Sequence, residues 1–310
     1  MSMITVTMNP AIDQTVTLDQ LKVGEVHRAK SVHYHTGGKG IMVASCLADW
    51  HDDPIVVTGL LGKDNAGVFK SAFQQKAIED QFIEVDGINR TNIKIVDKEA
   101  TTDLNLPGIS STDSALSAVL KVLDQPYEIA ILSGSLPSNC EDDAYVKMLD
   151  ILQAHNTKVI VDASGEALKT TLSAKIKPYC IKPNIDELSE YLERPLGSIQ
   201  EIITEARALL STGIQLIVIS MGSDGALFID HENVLKASLK APKVLTTVGA
   251  GDAMVAGIAS AIRENADLER IARLSTAFSV AKLGFIEPHL PGKTVVEDFA
   301  SQVNIKKLEG

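Results

Sequence analysis

From about residue 128 onward, the chain alternates short aliphatic runs with amphipathic stretches, and this alternation narrows the folds open to it. Four runs are almost continuously apolar: "EIAILSG" (128–134), "KVIVDAS" (158–164), "CIKPN" (180–184) and "QLIVISMG" (215–222). Such runs are typical of strands buried on both faces of a parallel sheet. Because helical patterns near 142–155 and 199–211 separate them, the sequence predicts a doubly wound α/β fold with helices on both faces. Ligands of such folds bind beyond the carboxyl ends of the strands.

The first third of the chain is less regular. "MITVTMNPAID" predicts a core strand that runs into a loop. Residues 14–35 and 87–106 alternate polar and apolar positions with period two, which is typical of half-exposed antiparallel strands. A helical stretch near 65–77 lies between them, and the two pieces could form a small second sheet. With no linker or repeat, we expect a single domain over 1–310.

Composition limits the partners. The formal net charge of −11 argues against nucleic acid or an anionic membrane surface as the main partner, so an anionic substrate would need a local cationic pocket. Cys46, Cys140 and Cys180 are odd in number, without a CxxC pair, and we interpret them as reduced cytosolic thiols. The N-terminus shows no signal-peptide pattern, and no run approaches the roughly 18 apolar residues of a membrane span. We therefore expect a soluble, cytoplasmic protein.

A glycine-rich turn precedes the helical pattern in "KVLTTVGAGDAMVAGIASAIRE" (243–264). A strand-like run ends at Thr247-Val248, and Gly249-Ala250-Gly251-Asp252 follows. Unpaired N–H groups at a helix start can hold an anion, and Asp252 could accept a proton from a substrate or simply cap the helix. The turn fits neither a Walker A loop nor the dinucleotide fingerprint, whose third glycine position is occupied by Met254.

Three further segments carry chemistry. Gly38 and Lys39 stand in a second glycine-rich helix start, which is either a ligand-binding turn or a flexible loop. Ser133 ends an apolar run, where ligand contacts concentrate. "KPNIDE" (182–187) suits nucleotide phosphate and water-linked Mg²⁺, although an ordinary strand-to-helix turn explains it too. Arg90 and Lys94 share one strand face and could grip a phosphate, or could be a solvated basic face.

The order of these segments resembles that of a known family. "NPAID", "GGKG", "GKDNAG", "SGSLP", "KPNIDEL", "SMGSDGAL" and "TTVGAGD" together resemble the signature series of the ribokinase-like (PfkB) carbohydrate kinases, from about residue 4 to at least residue 284. "GEVHRAKSVHYHTGGKG" and "NRTNIKI" look most like the 1-phosphofructokinases. The same segments resemble those of tagatose-6-phosphate kinases and of the minor type of 6-phosphofructokinase slightly less closely.

The resemblance implies roles for the residues. Asp252 would be the base that deprotonates the acceptor hydroxyl, and the N–H groups of Gly249, Ala250 and Gly251 would form an anion hole for the γ-phosphoryl. The expected sugar-phosphate site consists of Asp13, Gly38, Lys39, Met42, Arg90, Lys94 and Ser133. The expected nucleotide site consists of Lys182, Asn184, Ser220, Gly222, Gly225 and Thr247, with Glu187 linked to Mg²⁺ through water. Segments 14–35 and 87–106 would form a lid that excludes water and joins two copies into a homodimer.

The expected activity is an ATP- and Mg²⁺-dependent kinase that phosphorylates the 6-hydroxyl of fructose 1-phosphate. Tagatose 6-phosphate and fructose 6-phosphate are alternative acceptors. A non-catalytic sugar-phosphate sensor is an alternative of another class. A nicotinamide-dependent oxidoreductase is a further alternative that agrees with the expected fold class only, because the glycine fingerprint of dinucleotide-binding proteins is missing.

One position departs from the family pattern G-G-K-G-x-N, whose Asn contacts the sugar: here the residue is Met42. A thioether sulfur is only a weak acceptor. Losing one neutral hydrogen bond costs about 0.5–1.5 kcal/mol, or about 2- to 13-fold in affinity.

We therefore expect Met42→Asn to lower the KM for the sugar phosphate by about 2- to 13-fold and to leave the KM for ATP unchanged. Steady-state kinetics with each substrate varied in turn checks this expectation. An unchanged sugar KM would contradict it.

Overall fold

A computed structural model describes residues 2–309, so the first and last residues of the expected domain 1–310 lie outside the described residues. The strands are β1 (Met3–Thr7), β2 (Ala11–Thr17), β3 (Ser31–Gly37), β4 (Ile55–Gly62), β5 (Glu79–Asp80), β6 (Ile83–Val85), β7 (Arg90–Val96), β8 (Thr101–Asn105), β9 (Ile129–Ser133), β10 (Lys158–Asp162), β11 (Cys180–Ile181), β12 (Leu216–Ser220), β13 (Ala226–Ile229), β14 (Val234–Ser238) and β15 (Asn304–Lys307). The helices are α1 (Lys39–Trp50), α2 (Ala66–Gln75), α3 (Asp113–Leu123), α4 (Ala144–Ala154), α5 (Gly165–Ser173), α6 (Ile185–Tyr191), α7 (Ile199–Leu210), α8 (Ala250–Arg263), α9 (Leu268–Lys282) and α10 (Lys293–Gln302).

The larger sheet has 11 strands and confirms the expected doubly wound architecture. Its order is β15-β14-β13-β12-β11-β10-β9-β1-β4-β5, with β6 also paired to β4. The pairs formed by the neighbouring strands β12, β11, β10, β9, β1 and β4 are parallel, and so are the pairs of β4 with β5 and β6. Beyond β12, the strands β13, β14 and β15 extend the sheet in antiparallel pairs. Along β9, Ile129 and Ile131 belong to one apolar layer and Ala130 and Leu132 to the other. Alternate side chains of a buried strand therefore fill a core on each face.

The apolar runs predict most of these strands, but one interpretation is wrong. Residues 243–248 form no strand, and β14 already ends at Ser238. Val244 and Leu245 are 56% and 49% exposed. Because neither side chain is buried and neither residue joins a ladder, the run is a loop. One of its apolar residues, Val244, contributes to a cavity wall instead of a sheet. β11 is also shorter than its predicted run, because Pro183 cannot donate a ladder hydrogen bond.

The second sheet has the order β3-β2-β7-β8 and is built from the two segments with period-two alternation. The expected antiparallel pairing holds for β2–β3 and β7–β8, but the central pair, β2–β7, is parallel. Periodicity predicts which side chains share a face, but it does not give the direction of the partner strand. The sheet is also wider than predicted, since β2 begins at Ala11.

Register divides this small sheet into two unlike faces. Asp13 is opposite His35 and Asn92, and these polar residues lie on one face. The other face is mainly apolar, and its members are Ile12, Val16, Val32, Tyr34, Ile93, Ile95 and Leu104. Val32, Tyr34 and Leu104 are 40%, 62% and 47% exposed, so part of this face has no cover within the chain.

Close packing of α8 on α9 fixes the helix that follows the GAGD turn. A Cβ at Gly257 would lie 2.6 Å from the Cα of Ser275 and 3.1 Å from the carbonyl oxygen of Leu274. Only a residue without a side chain permits this approach. Gly257 therefore lets α8 pack against the backbone of α9.

We expect Gly257→Ala to lower the free energy of unfolding by about 1–3 kcal/mol, because backbone atoms of α9 must shift. Gly67→Ala in α2 is the matched control, since a Cβ there meets no atom within 4 Å. That exposed change should stay within about 0.5 kcal/mol of the wild type. Urea denaturation of both variants measures the difference, and equal effects would contradict the packing argument.

Candidate active site

The residues singled out by sequence converge where β9 to β12 end and α1, α6 and α8 begin. Ser133 closes β9, Asn184 precedes α6, and Ser220 closes β12. The start of α8 faces them, and Asp13 of the small sheet is close enough to affect the pKa of Asp252. The candidate site is therefore at the carboxyl edge of the parallel sheet, where the fold class places ligands.

The GAGD turn, residues 249–252, forms the start of α8. Gly249 has φ 80° and ψ 0°, a left-handed conformation that glycine adopts without strain, and α8 begins at the next residue. A Cβ at Gly249 would collide with the terminal methyl group of Met42 and lie 3.2 Å from Cε of Lys282. The turn thus rests directly on these two buried side chains. On the other side of the turn, Ala250 and Gly251 line the cavity described below, and the N–H of Ala250 donates to the carbonyl oxygen of Thr247 at 3.4 Å.

Asp252 is not the cap of this helix. The N-cap is Gly249, and no side chain supplies a capping hydrogen bond. The capping interpretation of the GAGD aspartate is therefore wrong. The carboxylate instead lies among charged neighbours contributed by other elements.

Burial raises the pKa of Asp252 to about 7, and the Asp162 carboxylate adds to this effect. The nearby ammonium groups of Lys39 and Lys182 oppose it, and Asp13 reinforces it. A carboxyl group with a pKa near neutrality can take up and release a proton under ordinary conditions, as a general base must.

One buried carboxylate holds two lysines beside the turn. Oδ1 of Asp162 lies 3.3 Å from Nζ of Lys39 and 3.3 Å from Nζ of Lys182. Burial lowers the pKa of Lys39, but Asp162, Glu187 and Asp252 together raise it above its ordinary value. Nζ of Lys182 would lie 3.6 Å from a Cβ at Gly251. Two cations therefore flank the anion-binding turn.

Lys39 is not on a flexible loop. Gly38, with φ 103°, is packed so closely on β1 that a Cβ would lie 2.8 Å from Cγ2 of Thr7. This contact fixes the start of α1, so the flexible-loop interpretation is wrong. Met42, one turn further along α1, is buried under the GAGD turn.

The polar face of the small sheet supplies a second group of side chains. Asn92 donates to Oδ1 of Asp13 at 2.8 Å, and Nε2 of His35 lies 3.5 Å from Oδ2 of the same carboxylate. Burial lowers the pKa of His35, with Asp13 opposing. Nε of Arg90 is buried without a hydrogen-bond partner in the described part of the chain.

Lys94 and Ser133, two residues of the expected sugar site, differ in whether their polar atoms have a partner. Lys94 donates to Oδ1 of Asp103 on β8 at 2.6 Å, so a cross-strand carboxylate already neutralises it. Oγ of Ser133 is buried and has no hydrogen-bond partner among residues 2–309. The structure brings Ser133 to the sheet edge, and it places Lys94 on the same face of the small sheet as Arg90, paired with Asp103.

A cavity of about 850 Å³ lies beside the start of α8. Among the residues that line it are most of the expected nucleotide-binding set, namely Asn184, Ser220, Gly222, Gly225 and Thr247. Lys182 is not among them, because its side chain is buried and paired with Asp162. Ala250 and Gly251 line the same cavity, so the anion-binding turn opens into it. Leu239, Val244 and Val280 give it apolar walls.

Asn184 and Glu187 form a capping box at the start of α6. Oδ1 of Asn184 accepts from the Glu187 N–H at 2.7 Å, and Oε2 of Glu187 accepts from the Asn184 N–H at 2.9 Å. The second oxygen of Glu187 lies 3.9 Å from Nζ of Lys39. Within residues 2–309, no group of three or more His, Cys, Asp or Glu side chains is placed to hold a metal. Glu187 thus has a single carboxylate oxygen outside the capping box, and Lys39 is its neighbour. Such an oxygen fits only an Mg²⁺ ion that keeps most of its waters and binds substrate phosphates.

Sequence reasoning missed four side chains of the site: His35, Asn92, Asp162 and Lys282. Asp162 could have been found, since it ends an apolar run in the same way as Ser133. The other three become relevant only through contacts between distant segments. None belongs to a sequence pattern that predicts its partner.

Comparison with known proteins agrees with this geometry. The model of the pfkB family carbohydrate kinases matches residues 6–285. A 1-phosphofructokinase of Xanthomonas campestris is 44% identical over 90% of each chain, and one of Rhodobacter capsulatus is 38% identical over 98% of this chain and 97% of that one. The structure of phosphofructokinase-2 from Escherichia coli in complex with substrates and products superposes with a TM-score of 0.88 at 25% identity, covering 97% of this chain and 99% of that one.

The resemblance inferred from the signature segments is thereby confirmed over nearly the whole chain. No helix among residues 2–309 has the length and apolar character needed to cross a membrane. The chain belongs to the pfkB family of carbohydrate kinases and is a phosphotransferase with an alcohol group as acceptor.

Proposed function

We propose that the protein transfers the γ-phosphoryl group of ATP to the 6-hydroxyl of fructose 1-phosphate, giving fructose 1,6-bisphosphate and ADP. The observation that carries the proposal is the placement of Asp252. Its pKa is raised to about 7, and it stands between a cavity of nucleotide size and the polar face of the small sheet. The 1-phosphofructokinases among the similar proteins support the choice of sugar.

The cavity suits ATP because its lining offers two kinds of contact. Leu239, Val244 and Val280 offer apolar contact to a base. Ala250 and Gly251 offer the N-terminus of α8 to phosphates. A nucleotide oriented in this way brings its terminal phosphate to the turn that precedes Asp252.

The sugar phosphate would lie under the small sheet. Asp13 and Asn92 are hydrogen-bonded to each other and can bind sugar hydroxyls. The guanidinium of Arg90, whose Nε lacks a partner in the described chain, suits the substrate phosphate. Because the positive charge of Arg90 acts locally, a chain with a net negative charge can still bind an anionic sugar phosphate here.

Transfer would proceed with Asp252 taking the proton of the acceptor hydroxyl as its oxygen attacks the γ-phosphorus. The N–H groups of Gly249, Ala250 and Gly251 would receive the charge on the transferring group, with Lys39 and Lys182 at its sides. Glu187 would hold Mg²⁺ through water, and that ion would neutralise phosphate charge when bound. The protein thus contributes position, charge and a base.

We also propose that the small sheet acts as a lid of a single catalytic domain and that its apolar face binds a second copy. The face that bears Asp13 points to the site, while Val32, Tyr34 and Leu104 on the other face are exposed. A protein of similar fold, phosphofructokinase-2 from E. coli, occurs in a tetrameric form.

Tyr34→Asp should shift the sedimentation of the protein from that of a dimer to that of a monomer, because it places a charge on the apolar face of the small sheet. A wild-type monomer would refute the dimer.

A cytoplasmic location is proposed from the cysteines. All three are free thiols, and burial raises the pKa of Cys46 to about 12. Such thiols suit a reducing compartment. Cell fractionation would test the location.

We expect Mg²⁺- and ATP-dependent ADP release to be fastest with fructose 1-phosphate. Fructose 6-phosphate and tagatose 6-phosphate, assayed in parallel, are the matched acceptors of the same family. A higher kcat/KM for either would reassign the substrate. ATP binding without turnover on any of the three would favour another acceptor sugar or the sensor.

Activity should depend on the protonation of Asp252. Because only the carboxylate can accept a proton, kcat/KM should fall as the pH drops below about 7. Asp252→Asn should lower kcat by about 100- to 10,000-fold. Its melting temperature should not fall, because a buried charge is removed. Flat activity from pH 8 to pH 6 would contradict this assignment of the base.

A further inference from the structure

Lys282, the last residue of α9, is completely buried, with an exposed fraction of 0%. Lysine is almost never fully buried unless its charge is paired, because removing an ammonium from water is costly. A cation kept in this position therefore requires an explanation. The mechanism above makes no use of it.

Backbone carbonyls hold the ammonium group. Nζ donates to the carbonyl oxygen of Phe285 at 2.8 Å and to that of Ile286 at 3.4 Å. Both acceptors are neutral, so these contacts orient the ammonium without cancelling its charge. Burial lowers the pKa of Lys282, and the nearby Cys46 and Asp252 oppose this shift. The ammonium in turn acts to lower the pKa values of His35 and Cys46.

The charge lies directly behind the anion-binding turn. A Cβ at Gly249 would be 3.2 Å from Cε and 3.8 Å from Nζ of Lys282. The methyl group of Met42 contacts the same position from another direction. The buried ammonium therefore lies on one side of Gly249, while the next two residues of the turn, Ala250 and Gly251, line the cavity.

We propose that Lys282 is a positioning residue for phosphoryl transfer: its ammonium supports the GAGD turn from behind and favours negative charge in the anion hole. Charges act strongly at such a place because burial reduces screening. Lys39 and Lys182 approach the transferring group from the sides, whereas Lys282 acts through the backbone of Gly249. The inference rests on the proposed role of this turn in phosphoryl transfer.

A purely structural role, in which Lys282 only ties down the loop after α9, is the alternative. That loop has other attachments, since Oδ2 of Asp49 accepts from the N–H of Leu290 at 2.9 Å and Lys76 donates to the carbonyl of Pro288 at 3.0 Å. The two roles differ in their need for charge. A neutral donor could satisfy the carbonyls, but only a cation could support the anion hole.

Lys282→Gln separates the two roles, because the amide can still donate to a carbonyl but carries no charge. We expect kcat with fructose 1-phosphate to fall by about 10- to 100-fold, somewhat less than the loss of a direct anion-hole donor. Sugar KM and ADP affinity should stay within about twofold. Lys121→Gln on the exposed face of α3 is the matched control and should behave as the wild type.

Chemical rescue gives a second test. Lys282→Ala lacks the atoms that n-propylammonium supplies, so this cation should restore part of kcat, whereas n-propanol of similar shape should not. Rescue by both compounds would show that filling the space is sufficient and would overturn the proposal. So would a Lys282→Gln variant with wild-type kcat.

A binding measurement keeps the test independent of the sugar. Calorimetry would compare ADP alone with ADP plus beryllium fluoride, a mimic of the γ-phosphate. Lys282→Gln should weaken the second complex by about tenfold and leave the first unchanged. Equal weakening of both would indicate general damage and reject the proposal. If no sugar phosphate is turned over, the proposed function fails, and this measurement still decides the role of Lys282.

Discussion

The site depends on the ion pairs made by Asp162. This carboxylate ends a central strand and is almost completely buried, and its Oδ1 binds the ammonium groups of both Lys39 and Lys182. The two lysines come from different elements and would repel each other without it. With it, both stay beside the start of α8. The same negative charge contributes to the raised pKa of Asp252, so one residue positions two cations and also changes the proton affinity of a third group.

Such a cluster can persist because the surrounding scaffold is rigid. Burying charges is unfavourable unless partners are fixed in place, and a cluster of this kind is weak evidence for stability. Two aliphatic layers cover the parallel sheet, and Gly257 lets α8 pack against the backbone of α9. The resulting helix position is set by backbone contacts, which adapt little. Because the GAGD turn and Asp252 belong to the start of this helix, their positions are fixed as well. Catalysis of phosphoryl transfer by positioning requires groups that are held in this way.

Much of the fold could be predicted from sequence because its signals are local. Apolar runs identified the buried strands, and alternation identified the small sheet. The run at 243–248 was misread because an apolar cavity wall and a buried strand have similar composition. The parallel pairing of β2 with β7 could not be derived, since strand direction depends on partners far apart in the chain. The glycine turns were found from local sequence, as the strands were, and Asp162 could have been found in the same way because it ends β10. Asn92, His35 and Lys282 depend on tertiary contacts.

Met42 takes on a different meaning once Lys282 is considered. By sequence it is a missing hydrogen bond to the sugar, but in the structure its methyl group packs under Gly249, beside the lysine. An apolar neighbour excludes water from the ammonium and so strengthens the field that reaches the turn. Met42 and Lys282 thus contact the same glycine from two directions. A polar residue at position 42 would alter the surroundings of the ammonium as well as those of the turn, so the two side chains have to be considered together.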